Sequence, residues 1–410
     1  MSAAVTVSPA DFAAPATVAT MRTRALIAGI VGLAAAAYFA LDPNYREPFL
    51  RSWLVAFMFW LGMTLGPLAL LMLQYVTGGN WGRIGRRFWE AATRCLPLTF
   101  LFWLPIALGM KLIYPWASWS REQAIHELGF KGSWYLRPEG FWWKGIIFFG
   151  LWFLLGWYLR RWSKQEEEGR TDGVKFITVQ HVSGVGIMVY ALTVTFAATD
   201  WVSSLNPYWF SSVWGMLFIV GQVLTTFAFT IWLLARLAPI APVSRVINPE
   251  RLHDFGKLMF AFVVLWAYLS FSQWIIIWSG NLTEEIKWYL DRIHGRWQVV
   301  AVSLMLLHFA FPFFIMLSRN LKRNIGRLVW IATLILVMRY VDLFWLVQPK
   351  FHISGEVEPL NSMSILMTLA SALAMGGLWL ALFFWNLGRR SLMPVNDPNF
   401  PKMLELKQHG

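Results

Sequence analysis

Cysteine and charge are both scarce in this sequence. Of the 410 residues, only Cys95 is a cysteine, and 14% are charged. A single cysteine excludes disulfide frameworks within the chain, and it excludes zinc or iron–sulfur sites that need several cysteine ligands from this chain alone. The CxxCH motif for haem attachment is also absent. Soluble domains carry about 25% charged residues, so this chain has too few charges to cover a water-soluble globule.

The sequence is instead rich in long apolar runs. Hydrophobic residues make up 57% of it, with 26 Trp and 32 Phe. About 20 apolar residues cross the hydrocarbon core of a bilayer. Ten such windows are present, which we number spans 1 to 10: 24–41, 52–77, 90–114, 141–160, 177–200, 210–236, 255–279, 294–318, 327–347 and 362–388. The sequence therefore predicts an all-α polytopic membrane protein with ten transmembrane helices.

The basic residues are distributed unevenly between the two sides of these spans. The N-terminus, the loops after spans 2, 4, 6 and 8, and the C-terminus hold 23 of the 35 lysines and arginines, whereas the other five loops hold 11. Basic loops stay in the cytoplasm. We therefore predict a cytoplasmic tail at 1–23, a membrane domain at 24–390 and a cytoplasmic tail at 391–410. The net charge of +13 follows from this topology, so we expect no nucleic-acid partner.

Three ionisable residues lie toward the predicted outer ends of spans. Arg339 and Asp342 in span 9 are three residues apart, on one helix face, and can pair. They are either a structural ion pair or a proton-transfer carboxylate held by its arginine. Asp200, at the end of span 5, is either the boundary of that span or the mouth of an outer proton or quinol channel. Ionisable groups inside membrane helices usually mark a pathway.

A second set of ionisable residues lies at the inner ends. His181 begins span 5, His253 and Asp254 precede span 7, and Glu90 opens span 3. Together they predict a cytoplasmic half-channel, with interfacial anchoring as the alternative for each residue. His308 lies deep in span 8 and is predicted to bond a neighbouring helix or to relay a proton.

Span 7 and the residues after it carry a polar stripe and an acidic, aromatic segment. Ser270 and Gln273 share a helix face, where they can hold a quinone headgroup or bond a neighbouring helix. Thr283 can cap a short helix along the outer surface. We expect Trp288 and Tyr289 in that helix to lie in the aromatic belt at the lipid–water interface.

Four segments of the sequence carry a family resemblance. They read FWLGMTLGPLALLMLQYVTGGNWG, RRFWEAATRCLP, ATDWVSSLNPYWFSSVWG and HDFGKLMFAFVVLWAYLSFSQWIIIWSGNLTEEIKWYLDR. Together they resemble the polysulfide-reductase/NrfD-like membrane subunits, over roughly residues 24–390. The likeness is to the shorter of the two such subunits in bacterial alternative complex III, a quinol:electron-acceptor oxidoreductase.

The resemblance implies an architecture and a set of partners. It implies two four-helix bundles, spans 2–5 and 6–9, flanked by spans 1 and 10, in the bacterial inner (plasma) membrane. It implies that the chain alone binds no metal or redox cofactor, with quinol near the outer face. Haem c and iron–sulfur clusters would belong to periplasmic partner subunits, beside a second NrfD-like subunit and a terminal oxidase as further partners.

The expected function is that of an integral subunit of a respiratory quinol:cytochrome c or electron-acceptor oxidoreductase. In it the chain contributes proton-conducting residues and a quinone site, without a catalytic residue of its own. Two alternatives remain at this point. One is a stand-alone proton or solute transporter, since transporters use broken helices at mid-membrane. The other is a purely structural anchor of the complex.

Overall fold

The computed structural model describes residues 9–78, 81–129, 132, 134–170, 173–240, 243–245, 247–349, 360–395 and 397. This part of the chain is helical. Its α-helices are α1 (Ala16–Leu41), α2 (Arg46–Thr77), α3 (Arg83–Thr93), α4 (Leu96–Leu108), α5 (Met110–Ile113), α6 (Arg121–Leu128), α7 (Pro138–Glu167), α8 (Gly173–Trp201), α9 (Trp214–Leu237), α10 (Pro249–Gly280), α11 (Thr283–Ile293), α12 (Arg296–Ser303), α13 (Phe311–Met316), α14 (Arg319–Arg323), α15 (Ile325–Val347) and α16 (Ser362–Leu387). Short 3-10 turns lie at Pro9–Phe12, Pro115–Ser118, Ser203–Leu205 and Val243–Arg245.

Most of these helices are long and apolar enough to cross a bilayer. Within the described ranges nine helices meet that condition, if α12 to α13 count as one, and the bent pair of α3 and α4 would make a tenth. Their number and apolarity indicate a multi-pass membrane protein, as predicted. Local sequence features determine where several helices begin. Pro249 occupies the first turn of α10, and Asn324 caps α15 by accepting a hydrogen bond from the backbone of Arg327.

The third predicted span is not a continuous helix. Helix α3 ends at Thr93, α4 begins at Leu96, and their axes differ by 45°. Pro97 has no backbone N–H to donate to the carbonyl of Thr93, which weakens the helix at this point. The break leaves Arg94 at a junction between two helices.

The eighth predicted span contains a π-helical segment, Leu304–Ala310, between α12 and α13. Pro312 follows one turn after His308 and cannot donate to the carbonyl of that residue. The wider π turn accommodates this loss. Such segments inside α-helices occur frequently at functional sites.

Helices α2 and α9 form the centre of the protein. Both are buried along most of their length. Helix α2 contacts α4, α8, α9, α15 and α16, whereas α9 contacts α8, α10 and α15 as well. At the periphery α1 packs along α16 at close range, since a Cβ at Gly32 would lie 2.3 Å from the backbone nitrogen of Ala374.

The two ends of the described chain meet. The backbone N–H of Leu392 donates to the carbonyl of Phe12 at 2.8 Å, and Phe12, Leu392 and Met393 are buried. The start of the predicted C-terminal tail therefore packs on the body of the protein. Helix α1 begins at Ala16, directly after Pro15, rather than at residue 24.

The short helix predicted before span 8 is present as α11. It begins at Thr283, and Leu282 occupies the N-cap position without a side-chain hydrogen bond. The prediction that Thr283 caps this helix was therefore wrong. Apolar contacts rather than a cap hold it in place, as its buried residues Trp288 and Tyr289 show.

Candidate functional site

Four buried side chains from three membrane-spanning segments converge between α9, α10 and α15. Arg339 and Asp342 form an ion pair on α15, each about 2% exposed. Trp266 of α10 donates from Nε1 to Oδ2 of Asp342 at 3.1 Å. The imidazole of His308 stacks on the Trp266 ring, with centroids 4.1 Å apart and an interplanar angle of 21°. We call these four residues the Arg339–Asp342 cluster.

His308 differs from the rest of the cluster in its hydrogen bonding. It is fully buried in the π-helical segment, and neither ring nitrogen makes a well-aligned hydrogen bond to a described residue, although the backbone of Met338 lies within reach of the ring. The guanidinium of Arg339 lies near enough to interact with the ring. A neutral imidazole has one nitrogen that can accept a proton and one that can donate one.

The space for the Arg339 guanidinium is provided by a glycine on α9. A Cβ at Gly221 would lie 2.3 Å from both Cζ and Nη2 of Arg339. The ring of Phe218, one turn earlier, has its centroid 5.9 Å from Cζ. The cation therefore sits against the backbone and an aromatic side chain of α9, and Asp342 is its acidic partner.

Asp200 belongs to a different place in the fold. It is 1% exposed at the end of α8, and Nζ of Lys144 on α7 donates to its Oδ1 at 2.8 Å. Lys144 also lies over the ring of Tyr135, 3.6 Å from its centroid. The ion pair ties the ends of α7 and α8 together.

Glu90 is part of a dense ionic network at the opposite end of the helices. Its carboxylate accepts from Arg87 at 2.7 Å, from Ser163 at 2.8 Å and from Arg86 at 3.2 Å. Arg86 also pairs with Glu166 and donates to the hydroxyl of Tyr75 at 2.7 Å. Further ion pairs reach these groups from three more residues: Glu167, Arg390 and Asp397. We call this set the Arg86 network.

The other inner candidates lie outside that network. His181 is exposed on α8, and His253 is half-buried in the first turns of α10. Asp254 pairs with Lys257 at 2.9 Å, and both side chains are about half exposed. No contact described in the structure links these three residues to Glu90. Their proposed role as an inner half-channel stays a prediction.

Gln273 is engaged by neighbouring segments. It is 3% exposed, its Nε2 donates to the hydroxyl of Tyr289 at 3.1 Å, and its Oε1 accepts from Ser211 at 3.3 Å. These bonds favour the alternative in which this side chain bonds a neighbouring element. Ser270 lies half-buried one turn earlier. A quinone headgroup at Ser270 and Gln273 stays a prediction.

The expected position of Trp288 and Tyr289 in a lipid-facing aromatic belt was wrong, since both are buried. Trp288 stacks on Trp209 with centroids 4.5 Å apart, and Cζ of Arg292 lies 3.7 Å from the Trp288 centroid. The guanidinium of Arg292 also donates to the backbone carbonyls of Trp288 and Leu346, at 2.8 and 3.0 Å. Helix α11 is therefore fixed onto the body by a Trp–Trp–Arg stack.

Two members of these sites were missed by sequence reasoning. Trp266 looks like one more aromatic residue of an apolar span, and Lys144 looks like a residue at the start of one. Only the three-dimensional arrangement places them against Asp342 and Asp200. A feature of the loops was also missed: Tyr208 donates to Glu127 at 2.6 Å, and burial together with that carboxylate raises the pKa of Tyr208 to about 12.

In the described residues, no group of three or more His, Cys, Asp and Glu side chains is arranged to hold a metal ion. Comparison of the sequence with protein-family models and with curated proteins gives no match. The chemistry that the geometry offers is proton acceptance and donation at a buried carboxylate and a buried imidazole.

Proposed function

We propose that this chain is an integral membrane subunit of a quinol-oxidising respiratory complex, of the NrfD-like type, and that it conducts protons. Quinol oxidation releases two protons with two electrons. In this proposal the electrons pass to partner subunits that carry iron–sulfur clusters and haem c, and the protons use the side chains of this chain. The proposed relatives are the shorter NrfD-like subunits of alternative complex III.

The observation that carries the proposal is the Arg339–Asp342 cluster. Burying a charged pair gains little stability by itself, because desolvation offsets the attraction between the charges. Here the pair lies beside a buried imidazole without a well-aligned hydrogen bond, in a π-helical segment. A purely structural pair would not require such a histidine. A proton relay requires a group of this kind within reach of a carboxylate.

The architecture in this proposal has ten spans, with α3 and α4 forming one broken span. The first four-helix bundle contains α2, α3–α4, α7 and α8, and it is supported by the contacts of α2 with α4 and α8 and of α7 with α4 and α8. The second contains α9, α10, α12–α13 and α15, and it is supported by the contacts of α9 with α10 and α15. Helices α1 and α16 flank them.

The proposed orientation places the Arg86 network in the cytoplasm of a bacterial inner membrane, with both termini on that side. Its support is the excess of lysine and arginine at this end of the helices. Asp200 and Lys144 then lie toward the outer face, where the proposed iron–sulfur, haem c and second NrfD-like partners dock.

The test uses the complex isolated through a tag on this chain from its native membrane. We expect haem c, iron–sulfur subunits and bound quinone to accompany it. In the Asp342→Asn variant we expect turnover coupled to proton release to fall at least about tenfold, since losing an acid–base group typically lowers rates by more than that. The control is Glu168→Gln, an exposed carboxylate paired with Lys164 and Arg170, which should retain full turnover.

Two results would contradict the proposal. If the chain purifies alone and moves a solute or protons in liposomes, it is a transporter. If the partners co-purify but Asp342→Asn leaves turnover and proton release unchanged, the chain is an anchor, and the cluster has no part in proton transfer.

A further inference from the structure

Two arginines near the Arg86 network form no ion pair within 4 Å with an acidic residue that the structure describes, although Glu90 lies near enough to Arg94 to attract its cation. Arg94 lies at the break between α3 and α4, and its Nε is buried without a hydrogen bond. Arg160 on α7 donates only to the carbonyl of Gly156, at 3.1 Å. With Asp397 and its second partner Arg83 included, this region holds six arginines (Arg83, Arg86, Arg87, Arg94, Arg160 and Arg390) and four carboxylates (Glu90, Glu166, Glu167 and Asp397). The positive charge is therefore in excess.

A small recess opens between two of these arginines. Arg94 and Arg390 line it together with Glu90 and Asn386, and its volume is about 10 Å³, enough for roughly one oxygen atom. Arg390 and Arg160 both lie close enough to Arg94 to repel its cation. The carboxylate of Glu90 is already shared by Arg86, Arg87 and Ser163. The recess can therefore accept an anionic oxygen that the glutamates do not supply.

An apolar groove begins one helical turn away. It has a volume of about 480 Å³ and runs between α1, α4 and α16, with Leu98, Leu378 and Leu382 among its lining residues. On α16, Leu382 lines the groove and Asn386, one turn later on the same helix face, lines the recess. Trp385 closes the groove beside the recess, with Cζ of Arg389 lying 3.6 Å from its ring centroid. Arg22 of α1 also lines the groove.

We propose that this recess and groove bind one anionic phospholipid, with a phosphate oxygen between Arg94 and Arg390 and an acyl chain between α1, α4 and α16. A basic recess next to an apolar groove at the end of membrane helices is the arrangement that recognises an anionic headgroup. Arginine suits the site because its planar donors match phosphate. The arginines that line the recess and the groove favour a lipid over an apolar partner helix.

The test is lipid binding to the full chain in detergent, measured by native mass spectrometry and by the shift in thermal unfolding. The probes are phosphatidylglycerol, phosphatidylcholine with the same acyl chains, and inorganic phosphate. We expect phosphatidylglycerol to bind and stabilise most, phosphatidylcholine less, and inorganic phosphate not at all. Equal effects of the two lipids would overturn the headgroup site, and an equal effect of phosphate would show an ion site rather than a lipid site.

Two variants locate the lipid. Arg94→Gln should weaken phosphatidylglycerol binding about fivefold and remove the preference over phosphatidylcholine. Its control is Arg161→Gln, an exposed arginine next to Arg160 whose described contact is the ring of Trp157, which should bind lipid as the native chain does. Leu98→Trp should fill the groove and weaken both lipids without changing their order. Unchanged binding in either Arg94→Gln or Leu98→Trp contradicts the assignment.

Discussion

The two buried groups of charges differ in how many partners each charge has. In the Arg86 network Glu90 accepts from two arginines and a serine, and Arg86 contacts Glu90, Glu166, Asp397 and Tyr75. In the Arg339–Asp342 cluster one arginine meets one aspartate, supported by a single indole. A charge with many partners holds its protonation state and joins helices. A charge with one partner can change its state when that partner moves.

The largest expected loss of unfolding free energy comes from disrupting the Arg86 network. Arg86→Met would leave Glu90 and Glu166 buried with less compensation, which typically costs about 3–5 kcal/mol. Chemical unfolding in detergent measures this loss. Arg161→Met is the matched control and should change the free energy of unfolding by no more than about 0.5 kcal/mol. If both variants lose the same amount, the Arg86 network does not stabilise the fold.

A smaller loss of unfolding free energy is expected when the Arg339–Asp342 pair is disturbed without removing a charge. Gly221→Ala would place a methyl group on the guanidinium of Arg339 and push it from Asp342. Overpacking of this kind costs about 1–3 kcal/mol. We expect a clear loss of proton-coupled turnover, larger than the loss of unfolding free energy alone would cause. Gly184→Ala, where a Cβ would meet nothing within 4 Å, should leave both unchanged. A normal turnover in Gly221→Ala would show that the pair need not be intact.

The third comparison takes one neutral hydrogen-bonding side chain from each group, and it includes the smallest expected effect, that of Tyr75→Phe. Trp266→Phe removes the hydrogen bond to Asp342 but keeps a ring beside His308, and a bond to a charged group contributes about 1.5–3 kcal/mol at most. Tyr75→Phe removes the hydroxyl that accepts from Arg86, whose other partners remain, so the loss should be under about 1 kcal/mol. Unfolding free energies and turnover distinguish the two. Equal losses would contradict the difference drawn between the groups.

The sequence predicted helices well where apolar runs are long. The run from Trp214 to Leu237 leaves little choice of structure, because a polar backbone in lipid must form helix. It also predicted the Arg339–Asp342 pair, because a separation of three residues fixes it within one helix. The break at Arg94 and the π segment around His308 were not predicted, although Pro97 and Pro312 were visible, since prolines in membrane helices have several outcomes.

Contacts between distant segments could not be predicted from the sequence. Trp266 and Asp342 form a hydrogen bond although they are 76 positions apart in the sequence, and Glu90 and Ser163 do so at 73 positions. No local sequence pattern predicts either contact. The predicted position of Trp288 was wrong for a related reason. A tryptophan near the end of a span suits both a lipid interface and a buried stack, and only its contact with Trp209 decides between them.

The contact between Arg83 and Asp397, at 3.1 Å, joins residues 314 positions apart. During synthesis the N-terminal partner enters the membrane long before the other exists. The arginines around α3 therefore lack this acidic partner until nearly all of α1 to α16 has been inserted. This ion pair can form only after residue 397 has been synthesised, so a chain halted before that residue would lack it.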